Sequence, residues 1–452
     1  MPSPHVIVIG GGLAGLAAST SLADAGCRVS LLERAPRLGG RATSYVLPDG
    51  EQIDNCQHVT LGCCTNLDDF YSRVGVAGKI HFYNSLLFAD STGRRARMRS
   101  SNLPAPLHLV PSFARFTLLS WRDKQAIARA MLRILTSGGR PKLRDSMSML
   151  DWLRQQKQTE AAIHRFWRTV LVSALNEELA HIDAHYGIDM FWKAFLSNTT
   201  GFAMGVPSIP LAELYSACGK RITDAGGEVK TRCGVNEIMI SADRICGVRI
   251  DDRSILEGDY YISAVNFDRL GKLLPELFPN LEHLHVSPIT SIHLWFDRPV
   301  MTEPFLTTVD QTIQWIFNKR EGTYLQIVIS ASRNLSRFSQ QEVADLCVKE
   351  LRALLSSLKE AKVVRSIVVR ENAATFSPEP GCDHWRLPQR TAVPNLVLAG
   401  DWTQTGWPAT MEGAVRSGYR AAEVVLGMAG RPATLVRPDL PVTGFARWFA
   451  RK

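Results

Sequence analysis

No C-x-x-C pair occurs in the 452-residue chain, and its nine cysteines (27, 56, 63, 64, 218, 233, 246, 347 and 382) are odd in number and scattered. That excludes a zinc ribbon and argues against a disulfide framework, so reduced thiols in a cytoplasm are expected. Nowhere does an apolar run approach the roughly 18 to 20 residues of a membrane-spanning helix. Internal repeats, low-complexity linkers, metal-ligand spacings and a Ser/His/Asp nucleophile arrangement are also lacking. Residues 6–22 are apolar enough to imitate a secretory signal. They lack a basic leader, however, and Gly10, Gly11, Gly12 and Gly15 interrupt them, so they read as a buried strand and helix. What remains is an ordinary globular composition, 45% hydrophobic and 21% charged. Such a length predicts two to three domains with a sizeable core and no need of staples.

Acid is scarce in one stretch. Residues 91–144 hold twelve Lys/Arg (94, 95, 97, 99, 115, 122, 124, 129, 133, 140, 142 and 144) against one acid, Asp123, more than the whole chain's net charge of +9. The surplus points to a local anionic partner.

The opening reads as β-α-β. A β-branched run at 5–9 suits a parallel sheet covered on both faces, 13–25 is Ala/Leu-rich and helical with Gly26 ending it, and 28–32 returns as a strand. Further on, 149–192 reads as helical and aromatic, 207–228 as a helix with a turn, and 228–251 as a hairpin. Strands are expected at 260–264, 293–296, 313–317, 324–329 and 395–399, an amphipathic helix at 341–358 and a final helix at 410–426. The expected class is α/β.

Gly10-x-Gly12-x-x-Gly15 follows the first strand and opens the first helix. The first glycine allows a tight turn, the second lets backbone approach a pyrophosphate, and the third lets helix and strand pack closely. Leu13 and Ala14 then begin a helix whose N-terminal amides face the phosphates. Glu33 ends the next strand about 20 residues on, where a carboxylate can accept from both ribose hydroxyls and disfavours a 2′-phosphate.

The stretch Glu33-Arg34-Ala35-Pro36-Arg37-Leu38-Gly39-Gly40-Arg41 resembles a signature of the flavin amine oxidase and phytoene desaturase superfamily. Its C-terminal counterpart is Leu398-Ala399-Gly400-Asp401-Trp402, followed by Gly406-Trp407-Pro408-Ala409-Thr410-Met411-Glu412-Gly413. The resemblance implies FAD as cofactor, with Glu33, Arg34, Gly39, Gly40, Arg41, Gly400 and Asp401 among its contacts. It further implies amides near Met411 and Glu412 at the flavin N1–C2=O edge and a backbone adenine contact at Val235. Together with Asp54-Asn55-Cys56-Gln57-His58, these blocks look like the hydroxysqualene dehydroxylase branch, except that Cys56 stands where that pattern has glycine. If the position needs a left-handed backbone, Cys strains it. The fold implied is a discontinuous Rossmann-like FAD-binding domain (1–90, 205–285 and 385–430) interleaved with an α+β substrate domain (91–204 and 286–384), then a basic tail (431–452).

Chemically the resemblance implies reductive dehydroxylation of hydroxysqualene to squalene: a protonated allylic hydroxyl leaves as water and reduced flavin delivers hydride. His58 is the candidate proton donor, the alternative being a histidine that only hydrogen-bonds flavin or backbone. Asp54 is the second candidate, more suited to fixing the loop. Trp402 and Trp407 either wall the substrate pocket or simply pack. An alternative with electron flow reversed is a carotenoid or phytoene desaturase-like oxidase. A non-catalytic prenyl-lipid carrier of the same architecture is another.

A C30 isoprenoid substrate resides in a bilayer, so the basic segment is read as docking at an anionic membrane around Phe113, Phe116, Leu118, Leu119 and Trp121. The tail from Phe445 to Lys452 repeats the composition. A solvated basic surface is the alternative. No nucleic-acid module accompanies the charge, so no nucleic-acid partner is expected. The location expected is cytoplasmic, peripheral at the membrane, with a separate electron donor that the sequence does not identify.

Overall fold

The computed structural model of the protein describes residues 3–144 and 146–450. It opens with β1 (His5–Ile9), α1 (Leu13–Asp24) and β2 (Arg28–Leu32). β1 lies at the centre of a five-stranded sheet in the order Glu228–Lys230, β2, β1, Tyr260–Ser263, Leu396–Leu398. Every pairing in it is parallel. Helices cover both faces, which is why its strands read as short uninterrupted apolar runs. Eleven of the twelve residues of α1 are buried. Small residues make this possible: a Cβ on Gly418 of the Met411–Met428 helix would stand 2.2 Å from the Ala14 carbonyl oxygen. The first and last regular helices of the chain therefore cross almost backbone to backbone.

A second sheet has seven strands in the order Val363–Phe376, Val286–Phe296, Tyr324–Ser330, Trp315–Arg320, Phe305–Val309, Ser85–Asp90, Arg95–Arg99. A domain boundary at residue 90 falls inside the hairpin that pairs Ser85 with Arg99. The amphipathic helix against this sheet runs Gln340–Leu354 and is held at its start by a Ser339/Glu342 capping box.

Helices Trp121–Thr136, Met149–Gln155, Thr169–Leu175 and Ala184–Phe191 form a layer over the second sheet's end of the molecule. Two π-helical turns, Ile163–Arg168 and Trp192–Leu196, interrupt it. Trp152, Trp167 and Phe191 pack edge to face at its centre, with ring centroids 4.6–6.3 Å apart. This core also claims most of the residues assigned above to membrane anchoring. Phe116, Leu118 and Leu119 are buried and Phe113 packs against the core, so of that set Trp121 alone is exposed. Among the described residues no helix is long and apolar enough to cross a membrane. Arg451 and Lys452 of the basic tail lie outside the described residues.

Candidate active site

One elongated cavity of about 700 Å³ runs from the ends of β1 and β2 to the face of the second sheet. Its volume falls within the range of small-molecule and cofactor sites.

The nucleotide end is built from backbone. Gly10 has φ +108°, and a Cβ there would stand 2.9 Å from the Ala264 carbonyl oxygen. A Cβ on Gly15 would stand 1.9 Å from the Gly10 oxygen, so no other residue closes this turn. α1 starts at Gly12 without a side-chain cap, and Leu13 and Ala14 line the cavity, presenting the positive end of the helix to it. The Gly39 amide donates to the Gly11 carbonyl at 2.8 Å, and a Cβ on Gly40 would stand 2.9 Å from the Gly12 Cα. Two glycine motifs separated in sequence thus form one cradle. Glu33 closes its side, accepting from the Gly11 and Ala35 amides at 2.6 Å each, with Arg34 beside it on the wall.

Arg41 joins the two ends of the chain. Its guanidinium donates to Asp401 at 2.8 Å and to the Ala374 carbonyl at 2.8 Å, and both Arg41 and Asp401 line the cavity. The Met411–Met428 helix starts beside them, capped by the Thr410 hydroxyl, which accepts from the Gly413 amide at 3.1 Å, with Met411 on the wall. Gly400 also lines it, and Val235 stands at the far end, where its carbonyl accepts from Arg269 at 2.8 Å.

Glu412 offers only its first-turn amide to this end, because its side chain turns away and accepts from Asn66 Nδ2 and the Leu67 amide, both at 2.8 Å; burial pushes its carboxyl up. Three expected residues are elsewhere. Asp54 sits beneath the loop, bound by Ser44 (2.8 Å), the Leu211 amide (3.0 Å) and Lys319 (3.1 Å). Its oxygens are thus committed to structure, not catalysis. Trp402 and Trp407 do not wall the pocket either. At Gly400, φ +148°, the chain turns so that Asp401 enters the cavity while the Trp402 indole passes behind and donates to the Val265 carbonyl at 3.1 Å. The loop then winds around buried Arg386, which donates to the Asp401 (3.1 Å) and Trp407 (2.8 Å) carbonyls. This leaves Trp407 packed between Lys193 and Arg416.

The opposite wall carries Asn55, Cys56, Gln57 and His58. His58 Nδ1 is 3.0 Å from the Cys56 carbonyl, which can only accept, so Nδ1 carries the proton and Nε2 has no hydrogen-bond partner among the described residues. Burial lowers the His58 pKa below 6.5, so the ring is neutral near pH 7 and offers Nε2 as an acceptor. Cys56 is absent from the left-handed region, so its replacement of glycine costs no backbone strain. Burial pushes its thiol up to about 12.

Beyond His58 the lining sets Ala174, Ile289 and Val328 among Ser173, Asn176, Ser330, Glu371 and Thr375, a mixed chamber between the Thr169–Leu175 helix and the second sheet. Asn176, absent from the expected site residues, fixes this chamber. Left-handed at φ 53°, it accepts from the Ala331 amide (2.8 Å) and donates to Ser287 (3.1 Å) and Thr375 (2.9 Å). An Asn just after an apolar Val/Leu helix was the available signal.

The cradle fits a flavin dinucleotide: a Cβ-free turn and an uncapped helix for the pyrophosphate, a strand-end carboxylate for the ribose, and a buried acceptor, Asn55 Oδ1, with no protein partner. Known proteins agree. The 15-cis-phytoene desaturase of Capsicum annuum is 26% identical over 93% of this chain and 78% of its own. That of Synechococcus elongatus is 24% identical over 93% and 96%. The crystal structure of an oxidoreductase from Methanosarcina mazei superposes with a TM-score of 0.71 at 19% identity, covering 92% of this chain and 98% of its own. The model of the flavin containing amine oxidoreductase family matches residues 13–426, so the chain belongs to that family of flavin-dependent oxidoreductases and takes FAD as its cofactor.

Proposed function

We propose that the protein desaturates a long, linear isoprenoid, removing a hydride and a proton from neighbouring carbons, with His58 taking the proton. The observation that carries this reading is a neutral imidazole on the cavity wall whose Nε2 lone pair has no partner among the described residues. Bound FAD supplies the two-electron acceptor, and an external oxidant, for example a quinone, restores it. The chain's own contribution is to seat the substrate carbon within about 3 to 3.5 Å of the reacting atom, exclude water, and hold the base. The relatives' names, phytoene and zeta-carotene desaturases, support the substrate class.

A second reading, reductive dehydroxylation of hydroxysqualene, rests on the Asp54–His58 and Gly400–Gly413 sequence blocks. It asks His58 to give a proton to a leaving hydroxyl. A ring whose only proton is bonded to the Cys56 carbonyl, and whose pKa is lowered, suits acceptance better than donation.

The two readings separate in one experiment. FAD-loaded protein is incubated with phytoene and a quinone, and in parallel with hydroxysqualene after dithionite reduction, and products are identified by mass spectrometry. Loss of two hydrogens from phytoene is expected. Squalene from the second reaction alone would reverse the assignment, and a purified protein that retains no flavin would return it to lipid carriage.

A further inference from the structure

Ten of the twelve basic residues in 91–144 form no ion pair among the described residues; only Arg94 and Arg95 have one, with Asp90 and Glu303. The segment's single acid does not offset them at the surface. Asp123 is buried and spent on the Ser120 amide (2.9 Å) and Thr159. Unpaired charge of one sign is therefore displayed outward.

Apolar side chains are displayed on the same surface. Leu103, Leu107, Val110, Trp121, Phe445 and Trp448 are all exposed, Trp121 by 67% and Trp448 by 77%. Although 445–448 lies more than 300 residues along the chain from 103–121, the backbone joins them. The Phe445 amide donates to the Ala105 carbonyl at 2.8 Å, and the Phe445 and Trp448 rings stand 5.1 Å apart. Lys124 Nζ donates to the Ala114 carbonyl at 2.7 Å, tying the start of the Trp121–Thr136 helix to the same patch. Ser112 bonds Arg99 (2.8 Å), bringing the Arg95–Arg99 edge strand, with exposed Arg97 and Arg99, to its border.

We infer that this patch docks the protein on an anionic phospholipid bilayer, with Trp121, Phe445 and Trp448 entering the headgroup layer and the arginines meeting lipid phosphates. Indole rings prefer such an interface, and unpaired arginines beside them supply the charge complementarity that a neutral apolar partner would not use. The patch also borders the chamber's own layer. Phe113 meets Phe166 at 5.8 Å, and the π-helical turn holding Phe166 runs into the helix whose Ser173 and Ala174 line the cavity. A lipid substrate gives the contact its purpose, but the contact itself can be read without turnover.

The test is flotation of the FAD-loaded full chain with phosphatidylglycerol/phosphatidylcholine vesicles and with phosphatidylcholine alone. Binding to the anionic vesicles is expected, falling up to about 10³-fold in Arg97→Gln/Arg99→Gln/Arg122→Gln/Arg129→Gln and also falling in Trp121→Ser/Trp448→Ser. A control set removing equal charge elsewhere, Lys220→Gln/Arg232→Gln/Arg244→Gln/Arg253→Gln, should bind as the parent does. Retained flavin absorbance shows that each variant is folded. Absence of binding, equal loss in the control set, or tighter binding to a mixed-sequence RNA than to the vesicles overturns the inference. Because no substrate is present, none of these outcomes bears on the desaturation reading.

Discussion

His58 and Glu33 do different work on the same cavity, and their substitutions should separate it. His58→Gln keeps the ring's volume roughly and leaves the cradle untouched, so flavin content should equal the parent's while turnover falls about 10²- to 10⁴-fold, the usual weight of a positioned base. The parent's pH profile follows from the same geometry. A base works deprotonated, and burial moves the His58 pKa downward, so kcat should hold through pH 7 and fall only as acid protonates the ring below 6.5. A rate that rises on acidification would mark a proton donor and favour dehydroxylation. Glu33→Ala removes an acceptor of two backbone amides on the nucleotide wall. Lost charge-assisted hydrogen bonds of about 1.5 to 3 kcal/mol should weaken FAD binding roughly 10- to 100-fold, measured by flavin absorbance after dialysis.

At the scale of elements, the turn between β1 and α1 makes two glycines unequal. Gly15→Ala drives a Cβ into the Gly10 carbonyl at 1.9 Å and should yield no folded protein. Gly12 is not left-handed, and a Cβ there meets only Gly40 Cα at 3.9 Å. Gly12→Ala should therefore fold, by circular dichroism, yet lose flavin, since the methyl occupies cavity wall. A Gly12→Ala protein with full flavin would show that the pyrophosphate lies elsewhere. This turn was legible in the sequence because its chemistry is local: glycine spacing, an apolar strand before, a helix after. The second sheet was less so. Its longest strand, Val363–Phe376, places Arg365, Arg370 and Glu371 among its valines and has no clean two-residue alternation. For Trp402 the sequence leaves wall and packing both open, and the structure shows packing: Asp401 lines the cavity while the Trp402 indole donates to the Val265 carbonyl. Asp54 is held in place by Ser44 across its own hairpin and by Leu211 and Lys319 from two remote segments that no local pattern announces.

Across the whole molecule, folding buries two imidazoles as neutral rings. His108 is fully buried with neither nitrogen partnered, and His293 is fully buried with Nδ1 2.6 Å from the Tyr324 hydroxyl; desolvation lowers each to about 4. In the unfolded chain both titrate at the ordinary 6.5. As pH falls from 6.5 toward 4 the unfolded chain takes up protons that the folded one refuses, so stability drops across that window and levels off below it. The limit is about 3 kcal/mol for each ring. Carboxylates do not cause this fall: Glu412, raised by burial, takes up its proton first in the folded state and so opposes it. At Glu177, burial opposes ionisation but hydrogen bonds from Arg333 and Ser377 prevail, so its stabilising charge is lost only as pH falls below the ordinary carboxylate range. The fall between pH 6.5 and 4.5 therefore belongs to histidines. His108 lies in the turn around 103–110 with its ring against Phe202, so its protonation should loosen the 103–110 segment first. Urea midpoints at pH 7.0, 5.5 and 4.5 should decrease in that order. His108→Leu should flatten the decrease, because an apolar side chain has no proton to refuse. Equal slopes in parent and variant would show that the buried ring is not what acid attacks.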